Sequence, residues 1–308
     1  MNPITALLTA LGALSVAFCG FWAWAVADAR RTASGTGDAN PATDARLPSP
    51  LQIGVGFATN FFDALGIGSF ATTTAIFRGL RLVGDRIIPG TLNVGHTLPT
   101  VVQAFIFTKL IPVDVLTLIS MIAAAVLGAW LGAGVVAKWP KRKIQIGMGI
   151  SLLAAAVFMF MRQTNLFPPG SEEIGVRGAK LAIAIGGNFV LGALMTLGIG
   201  LYAPCMILVG LLGMSEKTAF PIMMGSCAFL MPVGSVRFIR EQSYSLRNAL
   251  GLAVGGVAGS YVAAKFFETL DIRTVRWLVI AVVVYTAVTM LMAAMSREGS
   301  EAPAAAKE

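Results

Sequence analysis

The residues with the most specific chemistry in this chain are glycines. Leu65-Gly66-Ile67-Gly68 recurs as Leu197-Gly198-Ile199-Gly200, each copy inside a stretch apolar enough to enter a bilayer. Gly66, Gly68, Gly198 and Gly200 permit positive φ and a close approach of backbone to a ligand. A helix restarting after each copy, over Ser69 to Phe77 and Leu201 to Gly210, aims unpaired N–H groups and the positive end of a helix dipole at the break. Two such ends brought together bind an anion without a buried basic side chain. The candidate ligands are Gly66, Ile67, Gly68, Ser69, Thr72, Thr73 and Thr74 at the first break, and Gly198, Ile199, Gly200, Tyr202, Pro204 and Cys205 at the second. Pro204 suits a first helical turn, and its counterpart Thr72 opens a run of three hydroxyls. An isolated Gly-Ile-Gly is better explained by close helix contacts, and threonines in apolar helices often bond only to a carbonyl of the preceding turn. Duplication of the glycine pattern is what points to a binding turn.

Other polar residues sit near these breaks. Asp63, three residues before Gly66, is the one acidic residue well inside an apolar segment. It reads either as a proton or cation coupling group, or as a cap on the tip or partner of an arginine such as Arg237. A carboxylate repels an anion, so a protonatable coupling group fits better than a direct ligand. His96, the sole histidine, follows Asn93 by about one turn and reads as a satisfied structural residue or a pH-sensitive pore residue; no Cys, His or carboxylate cluster supports a metal. Asn93 and, in the second half, Ser226 are expected to face the path. Arg237 either draws anions to the entrance or anchors its helix end. Cys19, Cys205 and Cys227 form no CxxC, and packing is their default. No Ser-His-Asp arrangement, P-loop or carboxylate pair is present, which excludes an ATP-driven pump on its own.

The elements that must position these residues follow from composition and repetition. With 56% hydrophobic and 12% charged residues, the chain departs from the roughly 25% charge of soluble domains. Apolar stretches at 4–27, 87–110, 113–137, 144–161, 219–236, 248–268 and 274–295 approach the roughly 20 residues of a membrane span. Two glycine-broken segments, about 51–77 and 180–213, complete the set. An offset of 132 residues also pairs Ile53, Gly54 and Phe57 with Ile185, Gly186 and Phe189, and Ala71, Leu80 and Pro89 with Ala203, Leu212 and Pro221. The first stretch exceeds a signal-peptide h-region and lacks a positive n-region, so it reads as a retained helix.

The net charge of +8 lies mostly in short loops, which favours a membrane reading over nucleic acid. If both broken segments cross the bilayer, the 23 basic residues divide almost evenly between the faces. If both are re-entrant, Arg30, Arg31, Arg46, Arg78, Arg81, Arg86, Lys138, Lys141, Arg142, Lys143, Arg237, Arg240, Arg247, Arg297 and Lys307 share one face, which the positive-inside rule makes cytoplasmic. Each half then has an odd number of crossings, and the halves are inverted. The expected fold is an all-α polytopic membrane protein of two inverted repeats, each a re-entrant hairpin plus about three transmembrane helices, preceded by one extra helix. The expected divisions are 1–50 for the N-terminal helix and polar linker, 51–162 for the first repeat, 163–178 for an inter-repeat loop, 179–296 for the second repeat, and 297–308 for a solvated tail.

Three stretches carry a family resemblance: Asp63-Ala-Leu-Gly-Ile-Gly-Ser-Phe-Ala-Thr-Thr-Thr74, Ile88-Pro89-Gly90-Thr91-Leu92-Asn93, and the second-half Gly-Ile-Gly-x-Tyr-Ala-Pro204. Over about residues 51–295 the chain resembles the TauE/SafE sulfite exporter family of bacterial membrane permeases. The resemblance implies secondary transport of small sulfur-containing anions, such as sulfite or organosulfonates, across a bacterial inner membrane. Members commonly carry proline after the glycine motif in both halves; here Thr72 replaces it in the first. Together these readings give an exporter with no catalytic role, no cofactor and no metal, working by alternating access on a sulfur oxyanion, with its C-terminus cytoplasmic. An anion channel on the same scaffold and an intramembrane thiol redox enzyme using Cys205 and Cys227 remain as alternatives.

Overall fold

The computed structural model describes residues 2–33, 41–44, 46–136, 141–164, 172–195, 201–269 and 271–295. These form eleven α-helices and two single-turn 3-10 segments: α1 (Pro3–Ala33), α2 (Pro50–Ala64), α3 (Ser69–Gly79), α4 (Ile88–Leu110), α5 (Val115–Val136), α6 (Lys141–Gln163), α7 (Gly178–Met195), α8 (Tyr202–Leu211), α9 (Ala219–Arg240), α10 (Leu246–Glu268) and α11 (Ile272–Met295). Four helices among the described residues, Pro3–Arg31, Gly178–Met195, Glu216–Arg240 and Leu246–Glu268, are long and apolar enough to cross a membrane. Shorter apolar runs lie in α5, α6, α8 and α11. The chain is an all-α polytopic membrane protein. Apolar side chains such as Trp130, Leu131 and Met292 stand outward where lipid would cover them.

Both glycine-broken segments fold back on themselves. Val55 near the start of α2 packs with Phe77 near the end of α3, and with Ile88 and Leu92 of α4. In the second segment, Gly187 of α7 lies against Leu208 of α8, and Gly213, just past α8, lies beside the Lys180 ammonium near the start of α7. Helices α2, α3 and α8, of 15, 11 and 10 residues, span only about 15–22 Å at 1.5 Å per residue. Helix α7, with 18 residues, is longer than these three limbs and reaches the length of a crossing.

The two hairpins enter from opposite ends of the bundle. Helices α4 and α9 run antiparallel: Thr97 shares a hydroxyl hydrogen bond with Ser235 at 3.3 Å, while Phe107 stacks on Phe220 at 5.6 Å. Since α4 starts at the base of the first hairpin and α9 just after the second, the bases lie at opposite ends.

Packing repeats along with the sequence, but crosswise. Helix α2 packs on α10, and α7 on α5. Gly259 lies against the Phe57 carbonyl and Gly128 against that of Phe189. Gly256 abuts the Asn60 amide, and Gly192 abuts the Ala125 backbone. Gly56 abuts the Leu252 backbone, while Asn188 Nδ2 donates to the Met121 carbonyl at 2.7 Å. Positions on α2 and α7 differ by 132 throughout, and those on α5 and α10 by 131. Small residues let these backbones approach closely, which is how helices associate where lipid removes the hydrophobic drive.

Helix α1 docks on α4 and α9, with Phe18 and Trp22 packed against Val94, Ile239 and Tyr244. Trp22 Nε1 donates to Tyr244 Oη at 3.0 Å. At the other end of the bundle, Asp114 caps α5 by accepting from Thr117 N at 2.8 Å and takes both Arg177 guanidinium nitrogens at 2.7 Å. Arg177, then the Thr117 hydrogen bonds, holds this carboxyl well below the usual carboxylate range despite some desolvation. Its folded-state value is depressed, so the stabilisation is present above the unfolded value near pH 4 and is lost as pH falls through the folded one. Asp114→Asn is therefore expected to flatten the acid limb of the melting-temperature profile below about pH 4, read by thermal unfolding in detergent.

Candidate functional site

The first turn is built by hydrogen bonds that end α2 and start α3 within four residues. Gly66 N donates to Asp63 O at 2.8 Å and Ile67 N to Phe62 O at 3.1 Å, closing α2. Gly66 and Gly68 then take φ of 99° and 84°, which an L side chain rarely adopts. A Cβ on Gly66 would collide with the Met206 side chain of α8. Gly68 is the N-cap of α3 and has no side chain to cap it. The Asp63 carboxylate does this instead, with Oδ1 accepting from Ser69 N at 2.6 Å. Asp63 thus caps α3, one of the roles read from sequence, and Arg237 bonds to Glu241 at 2.8 Å.

A cavity of about 50 Å³ lies where the two hairpins meet. The first contributes Asp63, Ile67, Gly68, Ser69 and Phe70; the second contributes Met195, Leu201, Tyr202 and Ala203. Thr100 of α4, Cys227 and Met231 of α9, and Thr286 of α11 complete the wall. These residues lie near the middle of their long helices, so the cavity sits at mid-depth of the bundle. Pro99 and Pro232, next to Thr100 and Met231, each remove a helix hydrogen bond at this level. A single water needs about 10–15 Å³ of such space, so the cavity has room for a small ion.

Behind the wall, one amide joins three helices to Asp63. Gln103 of α4 is fully buried and donates through Nε2 to Asp63 Oδ2 at 3.0 Å and to Ser260 Oγ of α10 at 2.9 Å. Tyr202 Oη of α8 donates to Gln103 Oε1 at 3.3 Å.

The family model for the sulfite exporter TauE/SafE matches residues 52–290, a span that takes in both hairpins and the whole cavity wall. The chain belongs to the TauE/SafE sulfite exporter family. That membership makes it a membrane transporter of the sulfur-anion exporter class. Comparison with curated proteins and with solved structures finds no match. The whole of α1, and the linker after it, precede the TauE/SafE match.

In this TauE/SafE protein the remaining sequence candidates fall into distinct places. Gly198, Ile199 and Gly200 lie outside the described residues. Pro204 occupies the first turn of α8, and Cys205 is buried in the core. Cys227 lines the cavity and faces the Met195 thioether at 3.5 Å. Thr72 bonds back to the carbonyls of Gly68 and Ser69, and Thr74 is half-buried. Asn93 bonds to Pro89 O, one turn back in α4. Ser226 accepts from Asn188 Nδ2 at 3.1 Å behind the cavity wall.

His96 does not line the cavity. Its Nδ1 lies 3.1 Å from Asn60 Oδ1 and its Nε2 lies 3.0 Å from Thr73 Oγ1. Asn60 Nδ2 is committed to the Gly56 carbonyl, so Oδ1 must accept; Nδ1 carries the proton and Nε2 accepts from Thr73. His96 thereby pins α3 and α2 to α4. His96→Leu leaves two buried partners unsatisfied and is expected to lower stability by about 1–3 kcal/mol, read as a melting shift in detergent.

Asn60, Thr100, Gln103, Asn188 and Ser260 were not foreseen from sequence. The one available signal was an amide within an otherwise apolar helix, which in lipid needs an internal partner.

Proposed function

We propose that this protein is a secondary exporter of a small sulfur oxyanion such as sulfite or an organosulfonate, held at mid-depth between the tips of its two hairpins. One observation carries the reading: hairpins entering from opposite ends place residues of both on a single cavity. At the first tip, backbone N–H groups beside Ser69 supply donors, and Tyr202 supplies a hydroxyl from the other side. Alternating access fits a site that both hairpins wall, because a shift of either one opens the site toward one face. Because α2 is seated on α10 and α7 on α5, the moving bodies are each hairpin with the opposite repeat's helix, rather than 51–162 against 179–296 as sequential blocks.

The base of the first hairpin faces the cytoplasm of a bacterial inner membrane, since Arg78, Arg81, Arg237, Arg240 and Arg247 gather at that end, and α11 ends on the same side. An inside-negative potential drives an anion outward with about 2.3 kcal/mol per charge per 100 mV. Asp63 is the proton-coupling group of the cycle. The test is sulfite flux in proteoliposomes under an imposed potential, with sulfate, sulfoacetate and chloride as competitors and with counterflow. Saturable, exchangeable sulfite movement supports the reading. Linear flux without counterflow means a channel, and no oxyanion flux removes the proposed substrate class.

A further inference from the structure

We infer that Gln103 is a reversible amide relay: protonation of Asp63 turns its side-chain amide over and frees the Tyr202 hydroxyl to donate to the anion in the cavity. The inference rests on the anion site proposed above and concerns how that site is switched.

The argument starts from who can donate. With Asp63 ionised, both carboxylate oxygens only accept, so Gln103 must present its NH2 to Oδ2 and its carbonyl to Tyr202, as observed. Tyr202, which faces both Gln103 Oε1 and the Asp63 carboxylate, then spends its one proton on these acceptors and has none to offer the cavity it lines. The cavity also holds the carboxylate's charge. Both features oppose an entering anion.

A proton placed on Asp63 Oδ2 reverses each role. Oδ2 becomes a donor and needs an acceptor, whereas the Gln103 NH2 has lost one. Turning the amide over sets Oε1 opposite the Asp63 O–H and Nε2 opposite Tyr202 Oη. All three partners of Gln103 tolerate the exchange, because the Ser260 and Tyr202 hydroxyls and a protonated carboxyl can each donate or accept. Among the described residues no partner of Gln103 is a backbone amide or carbonyl, which would lock one orientation. Asp63 Oδ1 keeps the Ser69 amide throughout, so the tip is not dismantled. Tyr202, now accepting from Nε2, turns its own proton toward the cavity. One proton is taken up, no covalent bond other than O–H forms or breaks, and one charge is replaced by one donor.

Other titratable groups near Asp63 leave it as the switch. Tyr202 and Cys205 approach from α8 and Cys227 from α9; His96, two turns before Gln103 on α4, is held between Asn60 and Thr73. The described residues of α3, α7 and α11 that line the cavity carry no titratable side chain, and α10 brings only Ser260 to Gln103. By linkage, the bound anion and the proton on Asp63 favour each other by the same factor.

The test is a pH titration of the purified full chain by infrared difference spectroscopy. The Asp63 carboxyl band is assigned by its loss in Asp63→Asn, and the Tyr202 ring band by its loss in Tyr202→Phe. In the wild type the Tyr202 band is expected to shift with the same midpoint as the carboxyl band, and added sulfite is expected to raise that midpoint. In Asp63→Asn, whose NH2 copies the protonated acid as a donor to Gln103, the Tyr202 band should hold its acid position at every pH. In Gln103→Leu it should no longer follow the carboxyl.

A Tyr202 band indifferent to the wild-type carboxyl titration, or a carboxyl that does not titrate, overturns the relay whether or not Gln103→Leu folds. Sulfite flux with an unmoved Tyr202 band removes the relay and leaves the transport reading. Coupled bands with no sulfite flux establish the relay and remove its proposed ligand.

Discussion

Gly66→Leu is expected to reduce sulfite flux by about 10²-fold, the scale on which a 1 Å misplacement of a reacting group acts in an active site. Two independent costs meet at this residue. Its φ of 99° is strained for any side chain, and the new Cβ collides with Met206, whose helix carries Tyr202. The flexible Met206 end can retreat, but only by moving packing that continues to Phe220, 3.7 Å from the same Cβ position. The first tip and α8 are therefore displaced together while the long helices stay paired. Gly54→Leu, on an exposed face of α2 with nothing within 4 Å of the added Cβ, is expected to keep wild-type flux. Initial rates from matched proteoliposomes check both, and a Gly66→Leu protein that transports at more than half the wild-type rate would show that the turn is packing only.

Asp63→Ala is expected to lose more than ~10-fold of the flux at every pH and about 1–3 kcal/mol of stability. The carboxylate satisfies the first amide of α3 and anchors Gln103, which in turn holds α8 and α10. Alanine removes both functions and leaves buried donors without acceptors. Asp63→Asn keeps an acceptor for Ser69 and is expected to retain flux that no longer varies with pH. Melting temperature together with flux between pH 5 and 9 separates these outcomes; equal loss in the two variants would assign Asp63 a structural role alone.

The hairpins were legible because a duplicated motif reports on backbone conformation. Glycine is the residue a positive φ requires, and Gly66 and Gly68 have one; the matched glycines Gly198 and Gly200 lie outside the described residues. The helix after the first break was equally legible, since Ser69 begins it directly after Gly68. The crosswise pairing of α2 with α10 and α7 with α5 was not, because it depends on Gly128, Gly192, Gly256 and Gly259, which one by one look like any small residue in an apolar helix. Nor was the partner of Asp63. Gln103 lies 40 residues away on another helix, and no spacing rule joins an amide to a carboxylate across a bundle. Sequence offered a cap, an arginine pair or a coupling group for Asp63; the position of Ser69 N shows the cap, and the coupling role proposed above is a second use of the same carboxyl. His96 shows the reverse. A lone titratable residue invites a functional reading, yet its two ring nitrogens are fully engaged in holding α2 and α3 to α4.

The most direct measurement is a structure determined with sulfite at saturating concentration. The account predicts one oxyanion in the cavity at mid-depth, within hydrogen-bond distance of the α3 N-terminal amides and of the Tyr202 hydroxyl. Sulfite bound only among the arginines at the end of the bundle, with the cavity between the tips unoccupied, would contradict it.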